Sequence, residues 1–542
     1  MPAGSLALVL HAHLPWVHHP EYPNFLEEDW LFEAILETYL PIIDMLDGLE
    51  RDGVGCHLTM SLTPPLCEML SHPTLRDRFE ARLDALLVIA EAEAERLSRG
   101  RFAEAAAHAL AHLQRCHQLW HVRCERAPLN AFRHHQARGA VVIITCGATH
   151  GLLPFVTTPE GRRAQVAAAC DNYVKHFGRP PQGIWLGECA WQADVGPVLK
   201  EAGIDFTFVE THGVNYAEPR PRFAHYRPIL SHDGVLAFGR DPACSKQVWS
   251  SVDGYPGDPW YREFYRDLGW ELDAETLATV TGDGPRRNIG LKLHRVTGKV
   301  DLGAKAPYEP GKALARAREH ARHFVDCRVR QLEEVAASIE TEPLLVAPFD
   351  AELFGHWWFE GPAFLDGVFR EAHRRQDDLR MTDPVVWVER HPVAQLCEPC
   401  PSSWGDGGYW DVWLNPENTW IYNHLQRAEE RFVELATHML APTEDEARAM
   451  TQAARELLLA QSSDWAFIIT MATTVPYAVK RTRTHLARLD ALCTGLERGL
   501  VDVDALAEFE RLSPVFSELD WRHWQRTGRK APVRGVSVVA FD

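Results

Sequence analysis

Two carboxylates in this sequence stand at the ends of apolar runs and beside aromatic residues. Residues 183–191 form a short β-branched and aromatic run that delivers Glu188 between two tryptophans, and residues 344–350 end in the same way at Asp350. Such a pair suits acid/base and nucleophilic chemistry on a sugar, because aromatic faces stack on sugar rings and a water-poor wall raises the pKa of one carboxyl. The two segments therefore predict a carbohydrate-active site at Glu188 and Asp350.

Both carboxylates also have a structural interpretation. Glu188 could be a surface or N-cap carboxylate, and Asp350 could cap the helix after its strand. The tryptophans around Glu188 argue against an exposed face, and Asp350 leads into a dense polar and aromatic segment that contains His356 and Trp357. We therefore interpret both carboxylates as functional, with His356 and Trp357 as substrate contacts.

His11 and His13 stand at the end of a third apolar run. Residues two apart in an extended chain share one side, so both imidazoles face the same way. We predict that they contact substrate hydroxyls. A metal site is one alternative, because His-x-His is a ligand spacing, and a pair of histidines that satisfies loop backbone is another.

A Gly-rich and aromatic segment at residues 402–413 lacks the Lys-Ser/Thr ending of a phosphate-binding loop. The tryptophans in and just after it are Trp404, Trp410, Trp413 and Trp420. We predict a stacking platform for a glucan chain, with interdomain packing as the alternative. Residues 461–467 interrupt a helical pattern, and we interpret Asp464 and Trp465 within them as substrate contacts or as part of a helix-breaking turn.

Seven strand-like runs must position these side chains. They are residues 6–11, 56–62, 141–147, 183–188, 204–210, 289–294 and 344–350. Most are nearly continuous apolar runs, as in parallel strands that are buried on both faces. They alternate with helical segments and nearly all end in polar residues, which is typical of a β/α barrel whose site lies at the carboxyl ends of the strands. Seven strands predict an incomplete barrel.

The remaining segments divide the chain into domains. We predict a first barrel part at residues 1–72, a helical insertion at 73–135, a second barrel part at 136–398 and a C-terminal helical domain at 399–542. Residues 240–270 form a long Gly/Pro/aromatic loop within the second barrel part. Long loops in compact domains tend to be lids or binding loops, so we interpret this one as a lid.

The composition excludes some classes of function. The chain has 542 residues with 56 basic and 75 acidic side chains, and its formal charge of −19 argues against a nucleic-acid partner. No stretch resembles a membrane span, and no basic region precedes the short N-terminal apolar run, so we expect a cytoplasmic protein without a membrane partner. The 12 cysteines are mostly single, as in reduced thiols, and Cys397 with Cys400 lacks the second pair that a zinc site needs.

Five ordered motifs together resemble glycoside hydrolase family 57, and within it the 1,4-α-glucan branching enzymes. The motifs are residues 11–16, 149–151, 185–190, 348–356 and 462–465. The second match is weak, and the third departs from the family at Gly187, where proline is usual. The matches run through most of the chain.

The resemblance implies a (β/α)7 barrel with an inserted helical domain and a C-terminal helical domain. It implies Glu188 as the nucleophile, Asp350 as the general acid/base and no metal or other cofactor. Branching members carry a catalytically important tyrosine on a long loop, which corresponds here to Tyr255. The substrate-lining tryptophans of the family correspond to Trp30, Trp270, Trp404 and Trp413.

We therefore expect a retaining branching enzyme of glycogen or α-glucan biosynthesis. It cleaves an α-1,4 linkage of an α-glucan and transfers the chain to a 6-hydroxyl, and retention predicts carboxyl groups about 5–5.5 Å apart. The nearest alternative is an α-amylase or 4-α-glucanotransferase on the same scaffold. A metal-dependent hydrolase that uses His11, His13 and Asp350 is a second alternative, and a catalytically inactive glucan-binding protein is a third.

Overall fold

The computed structural model of the protein describes residues 2–249, 254–282 and 284–526. Residues 250–253 of the predicted loop and residues 527–542 of the predicted C-terminal domain lie outside this part. Ten strands in the described residues form one sheet. They are β1 (Gly4–Ala12), β2 (Leu58–Leu62), β3 (Val141–Cys146), β4 (Gly183–Trp185), β5 (Phe206–Val209), β6 (Ile229–Leu230), β7 (Leu236–Gly239), β8 (Leu344–Asp350), β9 (Leu379–Met381) and β10 (Gln395–Leu396).

Seven parallel strands form the centre of the sheet, in the order β8-β1-β2-β3-β4-β5-β7. Strand β6 runs antiparallel to β7, β10 pairs with β6, and β9 pairs with β1. Within the described residues, the two ends of the sheet do not pair with each other. The sheet is thus a curled half-barrel, and the predicted incomplete (β/α)7 barrel is confirmed.

The apolar runs explain the parallel strands and the position of the site. Every residue of β1 and β2 is buried, as expected for strands covered on both faces. The register places His11 beside Ser61 of β2 and beside Asp350 of β8. Because parallel strands end at the same edge of a sheet, the side chains of His11, Ser61 and Asp350 lie next to one another at its carboxyl edge.

One predicted strand is wrong. Residues 289–294 do not join the sheet, and the position beside β5 belongs to β7. The run is buried for another reason: the Leu291 carbonyl accepts from the Leu268 amide, and the Leu293 carbonyl accepts from the Tyr308 amide. These bonds hold the run inside the segment between β7 and β8. A short buried apolar run looks the same in both settings, so periodicity does not distinguish them.

Nineteen α-helices are present in the described residues. They are α1 (Glu28–Ala34), α2 (Leu40–Arg51), α3 (Pro64–Ser71), α4 (Pro73–Arg96), α5 (Ala103–Gln118), α6 (Pro128–Ala137), α7 (Pro159–Phe177), α8 (Gly196–Glu201), α9 (Thr211–Asn215), α10 (Pro242–Trp249), α11 (Ala274–Thr281), α12 (Pro310–Ala336), α13 (Gly361–Arg374), α14 (Pro384–Arg390), α15 (Thr419–His438), α16 (Glu444–Ala460), α17 (Asp464–Met471), α18 (Val475–Glu497) and α19 (Val503–Leu512). A π-helical turn, Ile35–Tyr39, joins α1 to α2. No helix among residues 2–249, 254–282 and 284–526 is both long and apolar enough to cross a membrane.

The C-terminal helices α15 to α19 pack on one another and against the barrel. Helix α16 begins with a capping box, in which Thr443 and Glu446 satisfy each other's backbone amides. Helix α16 ends at Ala460, and α17 begins at Asp464. The short turn between them, residues 461–463, forms a β-bridge with Gly151 through Ser462. This turn brings the C-terminal helices to the carboxyl edge of the sheet.

Candidate active site

Glu188 lies in a tight turn directly after β4. Its φ is 60° and its ψ is 25°, a left-handed conformation that is uncommon for a residue with a Cβ atom. The preceding Gly187 lies so close to its neighbours that a Cβ there would be 2.9 Å from the carbonyl oxygens of His150 and Gly151. Sparsely populated backbone conformations cluster at functional sites, where the surrounding structure holds them. Here the turn fixes the direction of the Glu188 carboxylate.

Each carboxylate oxygen of Glu188 accepts one hydrogen bond from another part of the chain. The indole Nε1 of Trp404 donates to Oε2 at 2.7 Å, and the hydroxyl of Ser463 donates to Oε1 at 3.2 Å. Burial raises the pKa of Glu188 to about 7, the Trp404 bond opposes this rise, and the charge of Asp350 adds to it. The ionisation of Asp350 therefore affects that of Glu188.

Asp350 ends β8 and carries the second perturbed carboxyl. Burial raises its pKa to about 7, and the like charge of Glu352 raises it further, while His13 acts in the opposite direction. Glu352 is held in place: its Oε1 accepts from the Tyr39 hydroxyl at 2.5 Å and from the His13 amide at 3.1 Å. Burial raises the pKa of Glu352 to about 7 as well.

Three histidines stack beside these carboxylates. The rings of His13 and His150 are nearly parallel, with centroids 3.9 Å apart, and Nε2 of His11 lies 2.9 Å from Nε2 of His150. Burial lowers the pKa of His11 and of His150 well below the usual value, so both imidazoles are neutral at neutral pH. His13 contacts Asp464 through Nε2 at 3.1 Å and Thr63 through Nδ1 at 3.0 Å.

One set of donors in this region has the composition of a metal site, although it is not the predicted set of His11, His13 and Asp350. His13, His150 and Asp464 have donor atoms near enough to one another for one ion. An imidazole binds a metal through a lone pair in the plane of its ring. The planes of His13 and His150 are 13° from parallel and stacked at 3.9 Å, so one ion cannot lie in both planes. This donor set is arranged for hydrogen bonding and does not fit a metal.

The predicted sugar contacts divide by exposure. Trp270 and Trp357 are 57% and 54% exposed, so each side chain is accessible to a sugar. Trp357 stacks on Phe264 at 4.3 Å, whereas Trp30 is half-buried against Tyr477 of α18. Nδ1 of His356 lies 3.5 Å from a carboxylate oxygen of Glu33 and from one of Glu37, so this nitrogen faces two protein carboxylates.

Two predicted sugar contacts need correction. Trp413 and Trp465 are each 1% exposed, so neither ring has a free face for a sugar. Trp465 donates its indole N–H to the Leu459 carbonyl at 2.8 Å, which fixes it inside the C-terminal helices. Trp413 packs against Gly405 in the core beneath the segment that carries Trp404. Both are large apolar side chains, and burial is their usual role.

The structure also corrects the position of Tyr255. Its ring is buried against α12 and α13, where it contacts His320 and Phe364, and its hydroxyl lies 2.8 Å from Nδ1 of His323. Glu188 and Asp350 follow the carboxyl ends of β4 and β8, whereas Tyr255 packs on α12 and α13. The apolar environment of the ring and the partner of its hydroxyl account for this position.

Several site residues were missing from the prediction. His150 follows β3 and belongs to the weakly matched second motif, so its place after a buried strand was the available signal. Ser463 lies in the fifth motif beside the predicted Asp464, but its contact with Glu188 is recognisable only once the C-terminal helices are placed against the barrel. Arg240 follows β7, which was not predicted; its guanidinium lies 5.6 Å from the centroid of the Trp404 ring and pairs with Glu210 at 3.0 Å.

Known proteins match this chain along its length. The sequence model of glycosyl hydrolase family 57 matches residues 7–393, and a second model, 1,4-alpha-glucan branching enzyme, C-terminal, matches residues 424–524. A 1,4-alpha-glucan branching enzyme of Thermococcus kodakarensis is 34% identical over 95% of this chain and 77% of its own.

Two solved structures are similar over nearly the whole fold. An alpha-amylase of Thermotoga maritima has a TM-score of 0.90 and 39% identity, with 97% of this chain and 99% of that chain covered. A branching enzyme of Pyrococcus horikoshii, described as of the family 57 type, has a TM-score of 0.87 and 32% identity, with 100% and 99% covered. The family model spans the half-barrel and both carboxylates, and the chain therefore belongs to glycosyl hydrolase family 57.

Proposed function

We propose that the chain is a retaining 1,4-α-glucan branching enzyme. The observation that carries this proposal is that two buried carboxyls with raised pKa values, Glu188 after β4 and Asp350 at the end of β8, stand at the same carboxyl edge of the sheet. Relatives that carry the name branching enzyme and that match most of the chain support the choice of reaction. The substrate is an α-glucan, amylose or glycogen-like chains.

The two carboxyls take different roles in the proposed reaction. Glu188 attacks the anomeric carbon of an α-1,4 linkage while Asp350 gives its proton to the leaving oxygen, and a β-glycosyl-enzyme forms. Asp350 then accepts the proton of a 6-hydroxyl that attacks the same carbon, and an α-1,6 branch results. The hydrogen bonds from Trp404 and Ser463 favour the ionised form of Glu188, whereas Glu352 favours the protonated form of Asp350.

The cellular setting belongs to the proposal as well. All 12 cysteines are free thiols, which suits a reducing compartment. We therefore place the proposed reaction in the cytoplasm, in the synthesis of glycogen or a similar α-glucan. The negative formal charge agrees with a neutral polymer as substrate and with no nucleic-acid partner.

An α-amylase is the second candidate, because the Thermotoga maritima structure has that name and 39% identity. Incubation with amylose separates the candidates when α-1,6 linkages are counted by NMR against reducing ends. Branching gives α-1,6 linkages in excess of reducing ends. New reducing ends without new α-1,6 linkages establish an amylase. A changed distribution of linear chain lengths, with no new reducing ends and no new α-1,6 linkages, establishes a 4-α-glucanotransferase. The Glu188→Gln variant gives the background.

Chelation tests the metal-dependent alternative. The stacked histidines do not fit a metal ion, and the two carboxyls supply acid, base and nucleophile between them. We expect dialysis against EDTA to leave the branching rate unchanged. Loss of the rate on dialysis, with recovery on addition of zinc, would establish the metal-dependent hydrolase instead.

A further inference from the structure

Ser463 connects the C-terminal helices directly to Glu188. It lies 275 residues after Glu188 in the sequence, yet its hydroxyl donates to Oε1 at 3.2 Å. The same hydroxyl lies 2.8 Å from Nδ1 of His150. Ser463 is itself buried, so the site excludes water from this contact. A hydrogen bond to a charged group in such surroundings is among the stronger ones.

The helix that follows Ser463 does not use this hydroxyl. A serine just before a helix normally accepts a hydrogen bond from an amide of the first turn. Ser463 immediately precedes α17, but its side chain makes no capping hydrogen bond. The hydroxyl is turned toward Glu188 and His150 instead. The side chain therefore serves the carboxylate and not the helix.

The hydrogen-bond chain behind Ser463 has one direction when Glu188 is ionised. Ser463 has one proton, which goes to Glu188, so Nδ1 of His150 is the donor in their contact. His150 is neutral, so its Nε2 accepts from Nε2 of His11 at 2.9 Å. Nδ1 of His11 then accepts from the Ser61 hydroxyl at 3.1 Å. Successive donors on β2, on β1 and in the segment after β3 thus point toward Glu188.

We propose that Ser463 is a positioning residue for the nucleophile. Its hydroxyl holds Oε1 of Glu188 while the indole of Trp404 holds Oε2, so the two hydrogen bonds favour the ionised carboxylate and fix its direction. His150 orients the hydroxyl through the chain that begins at Ser61. The inference rests on the nucleophile role proposed above for Glu188, and it applies whether the acceptor is a 6-hydroxyl or water.

The test uses the full-length protein and α-maltosyl fluoride. Fluoride leaves with little protonation, so its release reports attack by the nucleophile and depends little on Asp350. We expect Ser463→Ala to lower kcat for fluoride release about 10- to 100-fold, as for loss of a hydrogen bond to a charged group, with KM within about twofold. Ser463→Thr retains the hydroxyl and should stay within about threefold of the wild-type kcat.

Ser513→Ala is the matched control. Ser513 is buried in the C-terminal helices and accepts from Nη1 of Arg488 at 3.2 Å, outside the site. This variant loses a buried hydroxyl and should keep the wild-type rate. A Ser463→Ala kcat within about threefold of wild type, or equal losses in the alanine and threonine variants, overturns the proposal.

Two further outcomes keep the test decisive. If Ser463→Ala does not fold, Ser463→Cys replaces it, because a thiol is a weak donor; fluoride release equal to that of Ser463→Thr then overturns the proposal. A wild-type protein that releases no fluoride contradicts the nucleophile role of Glu188 and hence the proposed function. A wild-type protein that releases fluoride but forms no α-1,6 linkages contradicts branching alone and leaves the Ser463 comparison valid.

Discussion

At the scale of single residues, Glu188 and Asp350 pose one question. Burial raises the pKa of both to about 7, yet the first chemical step needs one ionised and one protonated. Their neighbours resolve this. Glu188 accepts hydrogen bonds on both oxygens, whereas the strongest neighbour of Asp350 is the like charge of Glu352. These neighbours favour an ionised Glu188 and a protonated Asp350, which is the distribution that the proposed first step needs.

Glu352→Gln tests this assignment through pH. The substitution keeps an oxygen that accepts from Tyr39 and His13 but removes the charge that raises the pKa of Asp350. A lower pKa means that Asp350 loses its proton at lower pH. We expect the alkaline limb of the kcat/KM profile to move to lower pH while the acid limb stays in place. An alkaline limb at its wild-type position would contradict the influence of Glu352 on the acid.

Glu188→Ala tests the nucleophile and the stereochemistry together. We expect cleavage of α-glucan to fall by at least about a thousandfold, because no glycosyl-enzyme forms. Azide is small enough to occupy the space of the missing carboxylate, so added azide should restore turnover of α-maltosyl fluoride. A β-glycosyl azide in the NMR spectrum is the expected product. An α-glycosyl azide, or activity within tenfold of wild type without azide, would remove Glu188 from the nucleophile role.

The sequence alone predicted the residues that follow strongly apolar strands. Local pattern and position after a strand were enough to identify Glu188, Asp350, His11 and His13 from the sequence. Ser463 was not, because its partner is far away in the sequence and only tertiary packing joins them. Trp413 shows the opposite error: an aromatic-rich segment does not tell which rings face the substrate and which fill the core.

At the scale of elements, the turn after β4 determines where Glu188 points. We expect Gly187→Ala to lower the melting temperature by several degrees and the cleavage rate by more than about tenfold, because the new Cβ would press on backbone oxygens that cannot rotate away. Gly55→Ala is the control, since a Cβ at Gly55 meets nothing within 4 Å. Thermal melting and the rate on amylose check both. A Gly187→Ala protein with wild-type values would contradict the tight fit of the turn.

The buried position of Tyr255 leads to a second expectation at this scale. Tyr255→Ala removes a ring that packs on α12 and α13, so we expect a lower melting temperature and a parallel fall in hydrolysis and transfer. The number of α-1,6 linkages per reducing end should keep its wild-type value. A fall in this ratio at unchanged stability would show that Tyr255 acts on the acceptor, as the family resemblance implies.

Strand prediction succeeded where burial on both faces produced long apolar runs, as in β1 and β8. It failed at residues 289–294, which are apolar because they pack within the segment between β7 and β8. The strand that pairs with β5 is β7, which is only four residues long. Short strands carry too little pattern to be separated from other buried runs.

At the scale of the whole molecule, we expect the ionisation of Glu188 to lower stability as pH rises. Burial raises the pKa of Glu188 in the folded protein to about 7, above its value in the unfolded chain. The contribution of the protonated Glu188 side chain to stability is therefore fully present below the pKa of the unfolded chain. It is lost as pH rises through about 7. A glutamine at this position does not ionise, so the variant does not lose this stability as pH rises. We expect the melting temperature of Glu188→Gln, relative to wild type, to increase between pH 5 and pH 8. Melting curves in matched buffers check this, and parallel curves across that range would contradict a raised pKa.

The order of the chain gives the turn at residues 461–463 a consequence for biosynthesis. A ribosome delivers β1, β4 and β8 long before the helices that carry Ser463 and Asp464 emerge. A nascent chain whose half-barrel has already folded still lacks the Ser463 hydroxyl that donates to Glu188 and the Asp464 carboxylate that contacts His13. Catalytic competence should therefore appear late in translation, after most of the polypeptide has left the exit tunnel. Prematurely terminated chains would then be inert toward the polymer around them.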